Sequence, residues 1–263
     1  FLIWELNEKN PIVDLRVFAN RTFTVSVLSL SVLFGAFFSA IVLMPLWLQT
    51  FQGYTALHSG MATAPMGVLS LLMAPLIGAA LNRVDARYFV TWAIAVFVVV
   101  FLWRSNLTSD APLSLIVTQQ FALGLGLSTM FLPLTALSLS EIPPALVTSA
   151  AGLQNFLRTL FGAFGTAFAT TYWETGVTRH HAILTEQVTR FDPETTRVLA
   201  SAAAAGVDGR AGYALLDRLV QQQAGVLALT DYFRVAAVIV LCVLPLVWLA
   251  HRQKGGMAMG GGH

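Results

Sequence analysis

Six long stretches of apolar residues dominate the sequence, and together they contain almost no charged side chains. They cover residues 22–50, 59–81, 88–104, 112–140, 145–173 and 231–250. The hydrocarbon core of a bilayer is about 30 Å thick, and an α-helix needs roughly 20 apolar residues to cross it. A helix also satisfies its own backbone hydrogen bonds, which lipid cannot do. The sequence therefore predicts an all-α membrane protein with six transmembrane helices embedded in the lipid bilayer.

The composition supports this class and excludes several others. Hydrophobic residues make up 56% of the chain and charged residues 11%, whereas soluble domains carry about 25% charged residues. The net charge of +2 is too small to indicate a nucleic-acid partner. Cys242 is the only cysteine, which excludes a disulfide within the chain and a cysteine-rich metal site. Because the sequence contains neither H-E-x-x-H nor G-x-S-x-G, we expect neither an enzyme nor a bound cofactor.

The apolar stretches and the polar segments between them divide the chain into five parts. They are the end of an upstream helix with a cytoplasmic surface segment (1–21), five transmembrane helices (22–173), a helical segment outside the membrane (174–230), the sixth transmembrane helix (231–250) and a glycine-rich tail (251–263). Asn10 and Pro11 are a typical helix start within the first part. The chain opens on an apolar run without Met, so we interpret it as part of a longer protein.

The distribution of basic residues predicts the orientation. Lys and Arg in short connections concentrate on the cytoplasmic side of membrane proteins. One side of the predicted bundle carries Lys9, Arg16, Arg21, Arg83, Arg87, Arg252 and Lys254, and the short loops opposite carry only Arg104. We therefore expect both ends in the cytoplasm and residues 174–230 on the outer, periplasmic side.

The outer segment has its own helix signals. Asp192 followed by Pro193 predicts a helix start, and an alanine-rich run continues to Gly206. A second helical pattern begins at Gly209, with an apolar stripe at three- and four-residue spacing. The stripe consists of Leu215, Leu216, Leu219, Val220 and Val226. It is either a local packing face or a surface that docks a partner.

Charged residues inside the apolar stretches are few, and their type is informative. The sequence has 13 Asp and Glu, and all are predicted to lie in loops or at helix ends, although proton-driven transporters usually relay protons on buried carboxylates or histidines. Arg158 is the exception among the basic residues, at a predicted depth of about 20 Å from the outer interface. Its helical neighbours include Gln154, Asn155 and Thr159. Arg158 either snorkels to the cytoplasmic headgroups or faces the bundle in gating or binding.

Several polar and aromatic residues are candidates for a substrate cavity. Gln120 and its neighbour Gln119 lie in the fourth stretch, where hydrogen bonds between helices are the alternative to ligand binding. Phenylalanines are numerous, and each one faces either a cavity or lipid. The selected candidates are Phe38, Gln120, Phe131, Asn155 and Arg158. The pair His180–His181 is a weak metal signal, and we interpret it as a solvated loop pair.

Residues 74–88, APLIGAALNRVDARY, resemble a cytoplasmic-loop motif of the major facilitator superfamily, Gly-x-x-x-Asp-Arg-x-Gly-x-Arg. Gly78, Arg83 and Arg87 match that motif. Asn82 and Asp85 stand where the motif has Asp and Gly. The resemblance implies that this loop gates the cytoplasmic face through charge pairs and helix-end contacts.

Three further segments are similar to EmrB-type multidrug exporters, the fourteen-helix drug:proton antiporter branch of that superfamily. They are WELNEKNPIVDLRVFANRTF near the start, AGLQNFLRTLFGAFGT at 151–166 and HHAILTEQV at 180–188, and the glycine-rich tail ending in His also fits. This resemblance implies that the chain is the C-terminal half of such a transporter and lacks its N-terminal half. The proton-carrying acids are then expected in that missing half.

The resemblance also implies a function. It is the proton-driven efflux of hydrophobic drugs or uncouplers across the inner membrane, together with a periplasmic adaptor of the EmrA type and a TolC-like outer-membrane channel. One alternative is a related transporter of another solute that works without an adaptor. The other is a membrane scaffold or sensor that transports nothing.

Overall fold

The computed structural model describes residues 15–189, 192–207 and 209–250, and this part of the chain is a bundle of helices without a β-strand. Its α-helices are α1 (Arg21–Thr50), α2 (Ala56–Thr63), α3 (Pro65–Ala80), α4 (Ala86–Arg104), α5 (Leu113–Leu139), α6 (Val147–Gln187), α7 (Pro193–Ala204) and α8 (Gly209–Trp248). The predicted all-α fold is confirmed. The predicted helix start at Asn10 and the tail 251–263 lie outside the described residues.

Within the described ranges, five helical segments are long and apolar enough to cross a membrane. They are α1, α2 with α3 (Ala56–Ala80), α4, α5 and α8. The remaining predicted stretch, 145–173, lies in α6, whose 41 residues are more than long enough to span a bilayer. Its mean hydropathy is lower because Gln154, Asn155 and Arg158 interrupt the apolar run. The side chains that reduce the hydropathy of α6 belong to the candidate site described below.

Short polar residues and proline set the helix boundaries. Asn20 Oδ1 accepts a hydrogen bond from the Phe23 backbone N–H at 3.0 Å and caps α1. Asp192 caps α7 in the same way through the Thr195 N–H, where the sequence predicts a helix start. Pro65 lacks an N–H and stands at the first position of α3, so the predicted single stretch 59–81 is divided into α2 and α3.

Helix α1 lies at the centre of the bundle. Its residues Leu30, Leu33 and Trp47 are completely buried, and it packs against α5, α6 and α8. The crossing with α6 is especially close: a Cβ atom built on Gly165 would lie 2.5 Å from the Gly35 carbonyl oxygen. Glycine at this crossing allows the two backbones to touch, which is a common way for membrane helices to associate.

Helix α3 is the least enclosed span. Met66 is its only buried residue, and its apolar side chains include Leu71, which is 76% exposed. Such a surface is compatible with lipid or with another part of a larger bundle.

Helices α6 and α8 extend well beyond the length that a bilayer requires. Residues predicted as the outer segment 174–230 include the end of α6, all of α7 and the first half of α8. The expectation that every carboxylate lies in a loop or at a helix end is therefore wrong for Glu174, Asp217 and Asp231, which lie inside these two helices. The reason is that both helices continue beyond the membrane level instead of ending at its surface.

Candidate functional site

Arg158 lies between two aromatic rings contributed by two other helices. Its guanidinium carbon is 4.9 Å from the ring centre of Phe34 on α1 and 4.8 Å from that of Phe131 on α5. Its Nη2 donates a hydrogen bond to Asn155 Oδ1 at 2.5 Å, one turn earlier on α6. A cation within about 6 Å of an aromatic ring centre is attracted to the negative face of the ring. Three helices thus converge on one charged group.

Phe38 extends this group along α1. Its ring centre is 4.6 Å from that of Phe34, and both rings approach Gly162 of α6. We call Phe34, Phe38, Phe131, Asn155 and Arg158 the Arg158 cluster. Arg158 is partly buried, whereas Phe38 and Phe131 retain exposed surface. The cluster therefore has an accessible aromatic edge beside a fixed positive charge.

The position of the rings favours the bundle-facing interpretation of Arg158 over snorkelling. At 1.5 Å per residue, Phe34 lies about 20 Å along α1 from its start, and Phe131 lies about 12 Å from the end of α5. The guanidinium between them is therefore at membrane depth, away from the helix ends. The predicted candidates Phe38, Phe131, Asn155 and Arg158 come together, and Phe34 completes the group.

Gln154 fixes the α6 segment that carries the cluster. Ser138 Oγ donates to Gln154 Oε1 at 2.9 Å, and Gln154 Nε2 donates to Thr135 Oγ1 at 3.2 Å. Ser138 and Gln154 are buried between α5 and α6. Gln154 therefore has a structural role as a hydrogen-bonded link between the two helices that supply Phe131 and Arg158.

Gln120 does not join the Arg158 cluster. It lies on α5 eleven residues before Phe131, which separates the two by about 16 Å along the helix axis. Its side chain is buried and forms no hydrogen bond within the described part of the chain. One turn further along α5, Gly124 packs directly against the Met66 backbone of α3. Gln120 thus lies one turn from the contact between α5 and α3.

The loop that resembles the cytoplasmic gating motif connects α3 to α4. Asp85 Oδ1 accepts a hydrogen bond from the Arg87 N–H at 3.0 Å and so caps α4. The Arg87 guanidinium donates to the backbone carbonyl of Ala250, just after the end of α8. Asn82 and Arg83 are exposed. Arg87 therefore holds α4 to α8 within this bundle, while Arg83 projects from it.

Gly78 connects the gating loop to the helix of the cluster. A Cβ atom at Gly78 would lie 3.6 Å from the Leu132 side chain on α5, next in sequence to Phe131. This is an ordinary packing distance. The loop end of α3 therefore packs against α5 next to a residue of the Arg158 cluster.

Residues 174–230 of α6, α7 and α8 are called the outer extension after their predicted side of the membrane. Its two histidines contact different carboxylates. His180 Nε2 is 2.8 Å from Asp231 Oδ2, and His181 Nε2 is 3.0 Å from Asp217 Oδ1. Both histidines lie inside α6, so the interpretation as a loop pair is wrong. Each one links α6 to α8, and among the described residues no group of three His, Cys, Asp or Glu could hold a metal ion.

The sequence matches a known family model and several characterised relatives. The model described as the Major Facilitator Superfamily matches residues 4–166. The fatty acid resistance protein FarB of Neisseria gonorrhoeae is 34% identical over 263 residues, which cover 100% of this chain and 52% of FarB. The multidrug export protein EmrB of Escherichia coli (strain K12) is 35% identical over 262 residues, 99% of this chain and 51% of EmrB. The probable multidrug resistance protein EmrY of the same strain is 33% identical over 255 residues, 95% of this chain and 49% of EmrY. The chain spans about half the length of the curated relatives it matches.

Proposed function

Because the chain belongs to the major facilitator superfamily of membrane transporters, we propose that it forms the C-terminal half of an EmrB-type exporter. The proposed exporter uses the proton gradient to move hydrophobic compounds out across the inner membrane. Identity of 33–35% to EmrB, FarB and EmrY over nearly the whole chain supports this assignment. The five apolar spans support a multi-pass membrane protein.

The observation that carries the proposal is the Arg158 cluster. A positive charge at membrane depth is costly unless it is paired or hydrogen-bonded, and such residues commonly mark transport pathways. Here the charge is flanked by the rings of Phe34 and Phe131 and remains partly accessible. This arrangement suits an amphiphile with an apolar body and a negative group, such as a lipophilic weak acid. The name of FarB, a fatty acid resistance protein, is consistent with that substrate class.

The exposed face of α3 supports the presence of a second half. Leu71, Leu72 and Leu76 stay largely exposed in this bundle, and the relatives are about twice as long as this chain. We propose that the upstream half covers part of this face and supplies the proton-carrying acids. The exposed Arg83 then pairs with that half on the cytoplasmic side, so that the loop 81–85 contributes to alternating access.

The outer extension of α6 and α8 supports an adaptor. Leu215 and Leu219 of the predicted apolar stripe are 39% and 43% exposed, whereas Val226 is buried. Leu215 and Leu219 are therefore only partly covered by packing within this chain. We propose that it contacts a periplasmic adaptor of the EmrA type, which leads to a TolC-like channel.

Transport by the complete protein tests the proposal. Proteoliposomes that contain the full-length transporter and no adaptor are given a pH gradient, and the movement of a lipophilic carboxylate dye is measured. We expect flux that depends on the gradient and that falls strongly in Arg158→Ala. Arg158→Lys should restore only part of it, because an ammonium lacks the planar surface that stacks between two rings.

The controls separate the alternatives. Arg210→Ala removes an exposed positive charge from the outer extension and should leave the flux unchanged. Absence of gradient-dependent flux in the wild type would favour a scaffold or sensor. Normal flux in both Arg158 variants at normal expression would exclude the Arg158 cluster as the substrate site.

Crosslinking tests the adaptor separately. Leu215→Glu with Leu219→Glu should reduce crosslinking between the full-length transporter and its adaptor while dye flux in liposomes persists. Gln221→Glu places the same kind of charge on an exposed polar position of α8 and should have little effect. Unchanged crosslinking in the leucine variants would favour a transporter that works without this contact.

A further inference from the structure

A groove runs between α6 and α8. It consists of two cavities of about 280 and 310 Å³ that share Phe168. The first includes Tyr172, Arg179 and Asp231. The second is almost entirely apolar and includes Phe161 and Phe164 of α6 together with residues of α1 and α8. One end of the groove is thus charged, and the rest is lined by aromatic and aliphatic side chains.

The groove follows the direction in which a lipid stands in a bilayer. Tyr172 is partly exposed and lines the first cavity, and tyrosine is enriched at membrane interfaces. We therefore take the level of Tyr172 and its buried neighbour Trp173 as the membrane interface. Phe161 lies about 18 Å along α6 on the membrane side of Trp173, and Arg179 lies about 9 Å beyond it. Half of a 30 Å hydrocarbon core is about 15 Å, and a headgroup layer adds a further 5–8 Å or so. The apolar part therefore lies at acyl-chain depth and the charged part at headgroup depth.

The charged end has more positive than negative groups. Asp231 is the shared acceptor: its carboxylate oxygens lie 3.4 Å from Arg179 Nη2, 3.3 Å from Arg234 Nη1 and 2.8 Å from His180 Nε2. One carboxylate thus faces two arginines. The side chains of Arg179 and Arg234 are 65% and 60% exposed, so both retain donors that point to the medium. An anionic group with several oxygens, such as a phosphate diester, could accept hydrogen bonds from these free donors and balance the excess positive charge.

We propose that this groove binds an anionic phospholipid from the leaflet beside the outer extension. One acyl chain lies along Phe161, Phe164 and Phe168, and the phosphate is held by Arg179 and Arg234. Phe164 and Phe168 remain 65% and 49% exposed, which gives the chain an open lateral path from the bilayer. The lipid bridges α6 and α8 at the level where His180 and Asp231 also link them, and so stabilises the base of the outer extension. This site is independent of the proposed transport cycle.

Native mass spectrometry of the complete transporter tests the site. The protein is purified in detergent with equal amounts of phosphatidylglycerol and phosphatidylcholine, and the retained lipid is identified and counted. The wild type should retain more phosphatidylglycerol than phosphatidylcholine. Arg179→Gln with Arg234→Gln should reduce that retention about 25-fold, since each arginine near an anionic headgroup contributes roughly fivefold. Arg179→Lys with Arg234→Lys preserves both charges and should retain the lipid.

The matched control is Arg210→Gln with Arg218→Gln, which removes the same charge from exposed positions of α8 beyond the groove. It should retain phosphatidylglycerol at the wild-type level. Equal loss in this control would show that only net charge matters and would overturn the site. Three other results would also overturn it: no preference in the wild type, unchanged retention in the glutamine double variant, or displacement of phosphatidylglycerol by an equal concentration of a free fatty acid. If the glutamine double variant cannot be purified, each single variant should lose about fivefold, and unchanged retention in both would contradict the proposal.

Discussion

Replacing Gly165 by alanine should weaken the contact between α1 and α6, although alanine is the better helix former. The added Cβ would lie 2.5 Å from the Gly35 carbonyl oxygen and 2.7 Å from the Gly35 Cα. Both are backbone atoms and cannot rotate away. Because ordinary packing begins near 3.4 Å, the two helices must separate by about 1 Å at their closest point, as expected for an overpacked contact.

The size of the effect follows from two opposing contributions. Overpacking of a well-packed contact costs about 1–3 kcal/mol, and exchange of glycine for alanine inside a helix returns up to about 1 kcal/mol. We expect a net destabilisation of about 1–2 kcal/mol. The assay is thermal unfolding of the full-length transporter in detergent, followed by tryptophan fluorescence, with wild type and variants in the same detergent and lipid.

Two glycines of the same helix provide the controls. A Cβ at Gly152 would have no neighbour within 4 Å, and one at Gly162 would lie at an ordinary 3.5 Å from the Phe34 ring. Gly152→Ala should therefore unfold at or above the wild-type temperature, and Gly162→Ala close to it, while Gly165→Ala unfolds several degrees lower. A Gly165→Ala protein as stable as Gly152→Ala would refute the close backbone contact.

Three further outcomes can be measured on the same material. Arg87→Ala removes the bond from α4 to the Ala250 carbonyl and should lower both unfolding temperature and turnover, whereas Arg83→Ala should lower turnover alone; neither should change equilibrium dye binding, and a large loss of affinity would contradict a gating role. Gln154→Leu removes two hydrogen bonds between α5 and α6 and should destabilise the protein by about 1–2 kcal/mol, while Thr159→Val, which removes an exposed hydroxyl that bonds only within α6, should not reproduce that loss. Liposomes that contain only residues 1–263 should show no gradient-dependent flux of a lipophilic dye, and clear coupled flux would overturn the half-transporter interpretation.

Local signals in the sequence were sufficient to predict the membrane helices and the ends of some helices. A run of about 20 apolar residues has few stable alternatives to a membrane helix, so the spans could be predicted without tertiary information. The start of α7 was equally local, because Asp192 and Pro193 provide a cap and a first helical residue. The length of α6 was missed because the outer segment was expected to begin where the apolar run ends, although 174–187 contains no proline that would stop the helix there.

The partners of each side chain depend on contacts between distant parts of the chain. Nothing in the sequence places Phe34 and Phe131 beside Arg158, because the three residues lie on three different helices and Phe34 precedes Arg158 by 124 residues. The same is true of Gln120, which lies on the predicted helix but about 16 Å along it from the cluster. Its side chain could be assigned to the membrane from hydropathy, and only the packing of α5 against α3 at Gly124 shows which face it occupies.

The proposal places the substrate-binding Arg158 in this half and the proton-carrying acids in the upstream half, and this separation has a mechanistic consequence. Arginine keeps its positive charge at any physiological pH, so Arg158 can attract an anionic substrate but cannot carry the transported proton. If the proton-carrying acids lie in the upstream half, substrate and proton do not compete for one side chain. Their coupling must then pass through the change between inward and outward states, which moves the surfaces of α3 and α6 relative to that half. Helix α6 carries Arg158, and α3 contacts α5 beside Phe131 through Gly78. On this proposal, a rigid-body movement at the junction of the halves would change the surroundings of Arg158 without any proton transfer to it.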